Sequence, residues 1–149
     1  MRRLLAGLVL AVAAGSAVSL LAAAEDPQVK VYKSATCGCC TKWVDHLRSR
    51  GFSVEATDVE DLERVKLENG IPGQLASCHT AFVEGYFVEG HVPAEDVQRL
   101  LAERPRIAGL AVPGMPIGSP GMEGPNPERY QVLALGLEGE VSVFATHGP

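Results

Sequence analysis

The chain has 149 residues, enough for one domain with a hydrophobic core and too few for a multidomain enzyme. Its composition, 46% hydrophobic and 21% charged, is that of a globular protein rather than a disordered or repetitive one. The formal net charge of −5 argues against a protein that binds nucleic acid or anionic lipid through bulk positive charge. Four cysteines, three methionines and four histidines point instead to soft-metal or redox chemistry.

The first 24 residues have the three parts of a secretory signal peptide: two arginines, an apolar run over residues 4–21, and three alanines. We expect cleavage after Ala24, which leaves a mature domain of residues 25–149 with a net charge of −7. A retained membrane anchor is the alternative, since about 18 apolar residues approach the length that spans a bilayer. Cleavage predicts a protein that works outside the cytoplasm and has no stable membrane span.

Hydrophobic periodicity and turn residues predict alternating strands and helices in the mature chain. In order, we predict a strand at 28–32, a helix from an N-cap at Thr36 to Gly51, a strand at 52–56, a helix at 59–69, strands at 81–84 and 86–89, and a helix at 94–103. Residues 109–127 are rich in Pro, Gly and Met and predict a loop, and strands at 130–135 and 141–145 predict a C-terminal hairpin. This order predicts an α/β fold.

Three cysteines, Cys37, Cys39 and Cys40, lie between the first predicted strand and the first predicted helix. The partial positive charge and free N–H groups of a helix N-terminus favour thiolate over thiol, which makes good nucleophiles and good metal ligands. A stabilising disulfide between two of them is the alternative, although three cysteines cannot all pair with one another.

The fourth cysteine, Cys78, is followed by His79 and directly precedes the third predicted strand. In a fold of thioredoxin type with this order of elements, that loop faces the C-x-x-C helix and carries a cis-proline that obstructs metal binding. Residues 77–80 contain no proline and offer a thiol and an imidazole instead, which favours metal binding over disulfide exchange. The alternatives are that Cys78 is a small buried hydrophobe and His79 a polar loop residue.

Four converging sulfurs would suit Zn(II), Cu(I) or an iron–sulfur cluster, but the cysteine spacing is not that of a structural zinc site. Met115 and Met122 lie in repeated Pro-Gly-Met sequences, and their thioethers favour Cu(I) unless they fill gaps in the core. His91 is predicted to close the turn before the last helix rather than to bind metal, and Trp43 is predicted to lie in the core.

Taken together, these motifs resemble those of the CopG-type periplasmic copper-resistance proteins, a thioredoxin-like family. The resemblance rests on residues 31–34, 37–40 with Trp43, 77–80, 90–93 and 109–116. Ala35 departs from the pattern, because a proline commonly precedes the Thr-Cys pair in this family, and the departure loosens that turn.

The resemblance implies a thioredoxin-like three-layer sandwich, a central mixed sheet flanked by helices, here with a C-terminal β-hairpin extension. It also implies copper binding by the four cysteines, with sulfur-bridged copper ions. Our expected metal ligands, which add His79 and Met115 of the same motifs to the four cysteines, are Cys37, Cys39, Cys40, Cys78, His79 and Met115.

The predicted function is that of a periplasmic protein of copper resistance that holds one or more Cu(I) ions and cycles copper between Cu(I) and Cu(II). Its expected partners are copper ions and other periplasmic copper-handling proteins, and no nucleic acid. One alternative is a thiol–disulfide oxidoreductase with Cys37 as nucleophile and Cys40 as resolving thiol. Another is a copper sensor or carrier without a redox role.

Overall fold

A computed structural model of the chain describes residues 27–149, and the predicted signal peptide lies outside these described residues. They form seven strands, three helices and one short 3₁₀ turn. These are β1 (Gln28–Lys33), α1 (Gly38–Ser49), β2 (Ser53–Asp58), α2 (Leu62–Glu68), a 3₁₀ turn (Gly73–Leu75), β3 (His79–Val83), β4 (Tyr86–Glu89), α3 (Ala94–Glu103), β5 (Ile107–Ala111), β6 (Tyr130–Gly136) and β7 (Val141–His147).

All seven strands belong to one mixed sheet with the order β2-β1-β3-β4-β5-β6-β7. The pairs β1–β2 and β4–β5 are parallel, and the other neighbours are antiparallel. At the end of the β1–β3 pair, Lys33 lies opposite His79. The residues that follow β1 and those that precede β3 therefore meet at the same end of the sheet.

Side chains on the two faces of the sheet enter separate hydrophobic clusters, because successive residues of a strand point to opposite faces. Trp43 and Leu47 of α1 and Leu100 of α3 pack in the cluster on one face. Leu75 of the 3₁₀ turn packs with Phe87 on the other. The architecture is thus a mixed α/β fold, and within residues 27–149 no helix is long and apolar enough to cross a bilayer.

The first two helices begin one and three residues later than the sequence predicts, and the third begins where it is predicted. The N-cap of α1 is Cys37 rather than Thr36, and the Thr36 hydroxyl lies 3.1 Å from the Ser34 hydroxyl instead of capping the helix. Helix α2 begins after Asp61, because the Asp61 carboxylate caps it by accepting a hydrogen bond from the Arg64 N–H.

Strand β5 is absent from our sequence-based prediction, and it takes the first three residues of the segment predicted as a loop. Gly109 and the nearby Pro113 are typical of a loop, but β5 pairs with β4 on one side and β6 on the other, and Leu110 and Ala111 are fully buried. Tertiary pairing thus overrides local preference here, and the loop that follows covers residues 112–129.

The C-terminal strands β6 and β7 form the predicted antiparallel hairpin, which extends the sheet. Two contacts tie β7 to α3. His147 Nε2 lies 2.6 Å from Asp96 Oδ2, and the Arg99 guanidinium stacks 3.7 Å from the centre of the Phe144 ring. The hairpin is therefore anchored on α3 by contacts of its own side chains.

Candidate metal centre

The three clustered cysteines occupy the start of α1, as the sequence predicts. The Cys37 N–H donates to the Ser34 carbonyl oxygen at 3.1 Å, which closes the turn after β1, and Cys39 and Cys40 lie in the first turn of the helix. Cys37 and Cys40 are joined by a disulfide, while Cys39 and Cys78 are free thiols. The disulfide that the sequence left open as an alternative is therefore formed in this state of the chain.

Cys78 lies beside the start of α1, although 38 positions separate it from Cys40. Its Sγ is 4.0 Å from Cys39 Sγ, and Cys40 Sγ is 3.5 Å from the Cys78 carbonyl oxygen. All four cysteine sulfurs lie within 4.8 Å of one another. The pairing of β1 with β3 causes this convergence, because it brings the residues that follow β1 next to those that precede β3.

The free Cys78 thiol resists ionisation in the metal-free protein. Burial raises the pKa of Cys78, and so does the nearby Cys39 sulfur, because a second negative charge there would be repelled; together they bring it to about 12. A soft cation would reverse this preference by supplying the missing positive charge. Metal binding at Cys78 should therefore release a proton.

Two buried imidazoles extend the sulfur cluster on the side of Cys78. His79 Nδ1 is 3.4 Å and His91 Nε2 is 3.0 Å from Cys78 Sγ. Burial lowers the pKa of both histidines, that of His79 well below its ordinary value, so both rings are neutral near pH 7. Neutral imidazole is the form that binds metal ions.

Hydrogen bonds set which nitrogen of each ring is available. His91 Nδ1 lies 2.8 Å from the Pro120 carbonyl oxygen, which can only accept, so Nδ1 carries the proton and the Nε2 lone pair faces Cys78. His79 Nε2 is buried and has no hydrogen-bond partner within residues 27–149. Cys78, His79 and His91 thus offer a second group of three donor atoms within 4.8 Å, which shares Cys78 with the four-cysteine group.

His91 is a member of this site that our sequence-based prediction assigned to a turn. The register of the β3–β4 hairpin brings His91 here, because Thr80 pairs with Glu89, and the same register continued by two residues sets Cys78 opposite His91. The remaining histidines lie elsewhere. His46 Nε2 accepts the Ala94 N–H at 3.1 Å, and His147 pairs with Asp96.

The two methionines of the loop take different positions. Met115, predicted as a ligand, has 51% of its surface exposed. Its neighbour Gly114 accepts a hydrogen bond from the Ser77 hydroxyl, which keeps this part of the loop near Cys78. Met122 instead lines a cavity of about 380 Å³ together with Cys39.

The core side of the site is closed by Trp43, which is fully buried as predicted. Its indole N–H donates to the Val92 carbonyl oxygen at 2.8 Å, and its ring centre lies 4.3 Å from that of His79. Trp43 therefore fixes the position of the His79 ring and keeps water from that side of the cluster.

Gly121 brings the loop of residues 112–129 into contact with α1. Its φ is +89°, and a Cβ at this position would lie 2.7 Å from the Cys39 carbonyl oxygen and 3.0 Å from the backbone nitrogen of Trp43. We expect Gly121→Ala to lower the free energy of unfolding by at least about 1–2 kcal/mol, through left-handed backbone strain together with this collision. Urea unfolding of the reduced protein measures the change.

Gly114→Ala is the matched control for this prediction. Gly114 lies in the same loop with a φ of +70°, but a Cβ there would meet no atom within 4 Å. The control retains the backbone strain and lacks the collision, so it should destabilise the protein less. Equal losses in the two variants would contradict a close packing of the loop on α1.

Comparison with known proteins identifies relatives with a solved structure. A family described as a protein of unknown function, DUF411, matches residues 75–122. Two solved chains described as copper resistance protein copG, form 2 and form 1, are 45% and 44% identical to this chain, each with a TM-score of 0.79. They match 83% and 84% of this chain and the whole of their own length. No curated protein matches.

Proposed function

Since the chain belongs to the family of the CopG copper resistance proteins, we propose that it is a periplasmic protein that binds Cu(I) through cysteine thiolates. The proposed sulfur ligands, in the reduced protein, are Cys37, Cys39, Cys40 and Cys78. The observation that carries the proposal is the convergence of these four sulfurs, from two distant segments, within 4.8 Å.

The spacing of the sulfurs supports a shared metal ion. Two sulfurs bound to one ion through bonds of about 2.3 Å in tetrahedral geometry are roughly 3.8 Å apart. The separations of 3.6 Å between Cys37 and Cys39 and 4.0 Å between Cys39 and Cys78 are close to that value. Thiolate is a soft ligand, so a pocket of this composition selects Cu(I) over hard cations.

The shared position of Cys78 supports more than one copper ion. A thiolate that belongs to two groups of donors can bridge two ions, one among the cysteines and one beside His79 and His91. We propose His79 as a ligand or as a partner of a ligand, and His91 as a further donor. Met115, exposed and held near Cys78 through the Gly114–Ser77 hydrogen bond, is proposed to pass copper to or from a partner.

The disulfide supports a redox role for the same site. When two Cu(II) ions meet reduced Cys37 and Cys40, the two thiolates supply two electrons, a disulfide forms and two Cu(I) ions result. Cys39 and Cys78 remain as thiols to hold the product. We therefore propose that the chain cycles copper between its two oxidation states, with an external reductant that restores the dithiol.

We also propose a periplasmic location and a thioredoxin-like fold for this chain. The leader-like residues 1–24 support export to the periplasm, where the partners would be copper ions and other copper-handling proteins. The mixed sheet has α1 and α3 on one face, and Lys66 of α2 contacts Thr80 on the other. Helices on both faces support a thioredoxin-like three-layer sandwich.

Thiol–disulfide exchange is the second candidate function, and the Cys37–Cys40 disulfide at the start of α1 favours it. In that function Cys37 would attack a substrate disulfide and Cys40 would release the mixed disulfide. Cys40 is fully buried, which suits a resolving thiol. Copper binding ranks first, because exchange has no use for Cys78, whose sulfur lies beside Cys39.

The proposed function is tested by adding Cu(I) to the mature chain after reduction and anaerobic purification. We expect copper to remain bound through gel filtration, the ultraviolet absorption of Cu(I)–thiolate bonds to appear, and the titratable thiols to disappear in step. Zn(II) added in equal amount serves as the comparison and should be displaced by Cu(I). Near-zero copper together with full disulfide-exchange activity would reverse the order of the two candidates.

A further inference from the structure

A buried ion pair lies under the segment that carries Cys78, outside the groups of possible metal donors. Lys66 of α2 donates to Glu89 Oε1 at 2.5 Å and to the Thr80 hydroxyl at 2.9 Å. The side chains of Lys66 and Glu89 are 3% and 0% exposed. Burying two charges costs free energy, and apolar residues of similar volume often stabilise a protein as well or better. Stabilisation of the fold alone therefore does not account for this buried ion pair.

The Glu89 carboxylate connects both sides of Cys78. Its Oε1 accepts the backbone N–H of Ser77 at 2.7 Å, and its Oε2 accepts the Thr80 hydroxyl at 2.7 Å. Ser77 precedes the dipeptide Cys78-His79 and Thr80 follows it, so one carboxylate holds both ends of the dipeptide.

The segment of residues 76–78 needs the hydrogen bond to Glu89 to hold its backbone in place. Residues 76–78 lie between the 3₁₀ turn and β3, in no helix or strand, so no regular ladder fixes the Ser77 N–H. Gly90, at a φ of +70°, lets the backbone approach closely, since a Cβ there would lie 2.5 Å from the Ser77 side chain. The chain after β4 thus presses on Ser77 from one side while Glu89 holds it by a hydrogen bond.

We propose that Glu89, held in place by Lys66, is a positioning residue that fixes the Cys78-His79 backbone for copper binding. This inference rests on the proposed function of Cys78 as a copper ligand. Groups that orient metal ligands without touching the metal typically change its affinity 10–100-fold when they are removed. Glu89 acts on the main chain of Ser77, the residue before Cys78, and its partner Lys66 orients the carboxylate through their ion pair.

Two double variants test the proposal, K66M/E89M and K66M/E89Q. Both remove the charge pair and keep the side-chain volumes, but only glutamine retains a carbonyl oxygen for the Ser77 N–H. We expect K66M/E89M to lose about 10–100-fold in Cu(I) affinity, measured by anaerobic competition with a Cu(I) chelator. Its Cu(I)–thiolate absorption per bound copper should also fall. K66M/E89Q should recover most of both signals at a similar unfolding temperature.

Two further variants make the outcome specific. R64M/E68Q removes an exposed ion pair on the same helix, and it should bind copper like the parent. Thr80→Val removes the hydroxyl that donates to Glu89 and accepts from Lys66, without changing charge, and it should lower Cu(I) affinity even if K66M/E89M fails to fold. Parent-like affinity in Thr80→Val, or equal affinities in the two double variants, would overturn the positioning role.

The failure of the proposed function has a different signature. If Cys78→Ser retains copper like the parent, Cys78 is not a ligand, and both the proposed function and this inference are wrong. If Cys78→Ser loses copper while K66M/E89M binds copper like the parent, only the positioning role of Glu89 is wrong.

Discussion

Cys78→Ser is expected to lower the Cu(I) affinity of the reduced protein by more than about 100-fold, beyond the loss caused by removing a group that only orients a ligand. The change replaces one soft sulfur by a hard oxygen, at the position shared by the cysteine group and the histidine group. The side chains are nearly the same size, so the fold should persist. Chelator competition under anaerobic conditions measures the affinity, and thermal unfolding checks the fold.

The same variant separates the two candidate functions. A thiol–disulfide oxidoreductase uses the pair Cys37 and Cys40, and it should keep most of its exchange activity when Cys78 is replaced. The matched variant C37S/C40S removes that pair, so exchange should vanish. Retention of copper in Cys78→Ser, together with loss of exchange in C37S/C40S, would show that the metal function is misassigned.

Disulfide formation is expected to reduce the Cu(I) that the chain retains to roughly half or less, since two of the four soft thiolate donors are then lost. The remaining sulfur ligands are Cys39 and Cys78, which lie 4.0 Å apart. Copper analysis per chain, combined with thiol counting, measures the effect. Four thiols are expected in the reduced form and two in the oxidised form.

C37S/C40S is the control for this redox dependence. It cannot form the disulfide, so its copper content should be the same before and after treatment with a disulfide reductant. A parent protein that binds equal copper in its dithiol and disulfide forms would contradict the assignment of Cys37 and Cys40 as ligands.

Local pattern was sufficient to predict most of the elements that carry the site. Cys37, Cys39 and Cys40 follow a short β-branched strand and precede a helical repeat of apolar residues, and the structure has them at the start of α1. The strand pair at 81–84 and 86–89, joined at Gly85, was predicted within two residues of β3 and β4. The observed register of this pair, in which Thr80 lies opposite Glu89, sets Cys78 opposite His91 when it is continued by two residues, but the predicted bounds do not fix that register.

Features that depend on contacts between distant segments were missed. Strand β5 carries a glycine and little alternation, and only its position between β4 and β6 makes it a strand. The pairing of Lys66 with Glu89 joins the second helix to the fourth strand, and a lysine in a charged helix is typical of an exposed face. The exposed position of Met115 follows from the path of its loop, which no local periodicity describes.

The amino-acid sequence by itself determined the chemistry available to this protein: three thiols at a helix start, a fourth thiol beside an imidazole, and thioethers in a loop. Residue types and short-range periodicity suffice for that much, because they act over a few neighbouring positions. Only the tertiary structure decided which donors meet. The order β1-β3-β4 brings Cys78 between the α1 cysteines and His91, and Glu89 holds the segment there. Strand order and buried polar contacts depend on the packing of the whole chain.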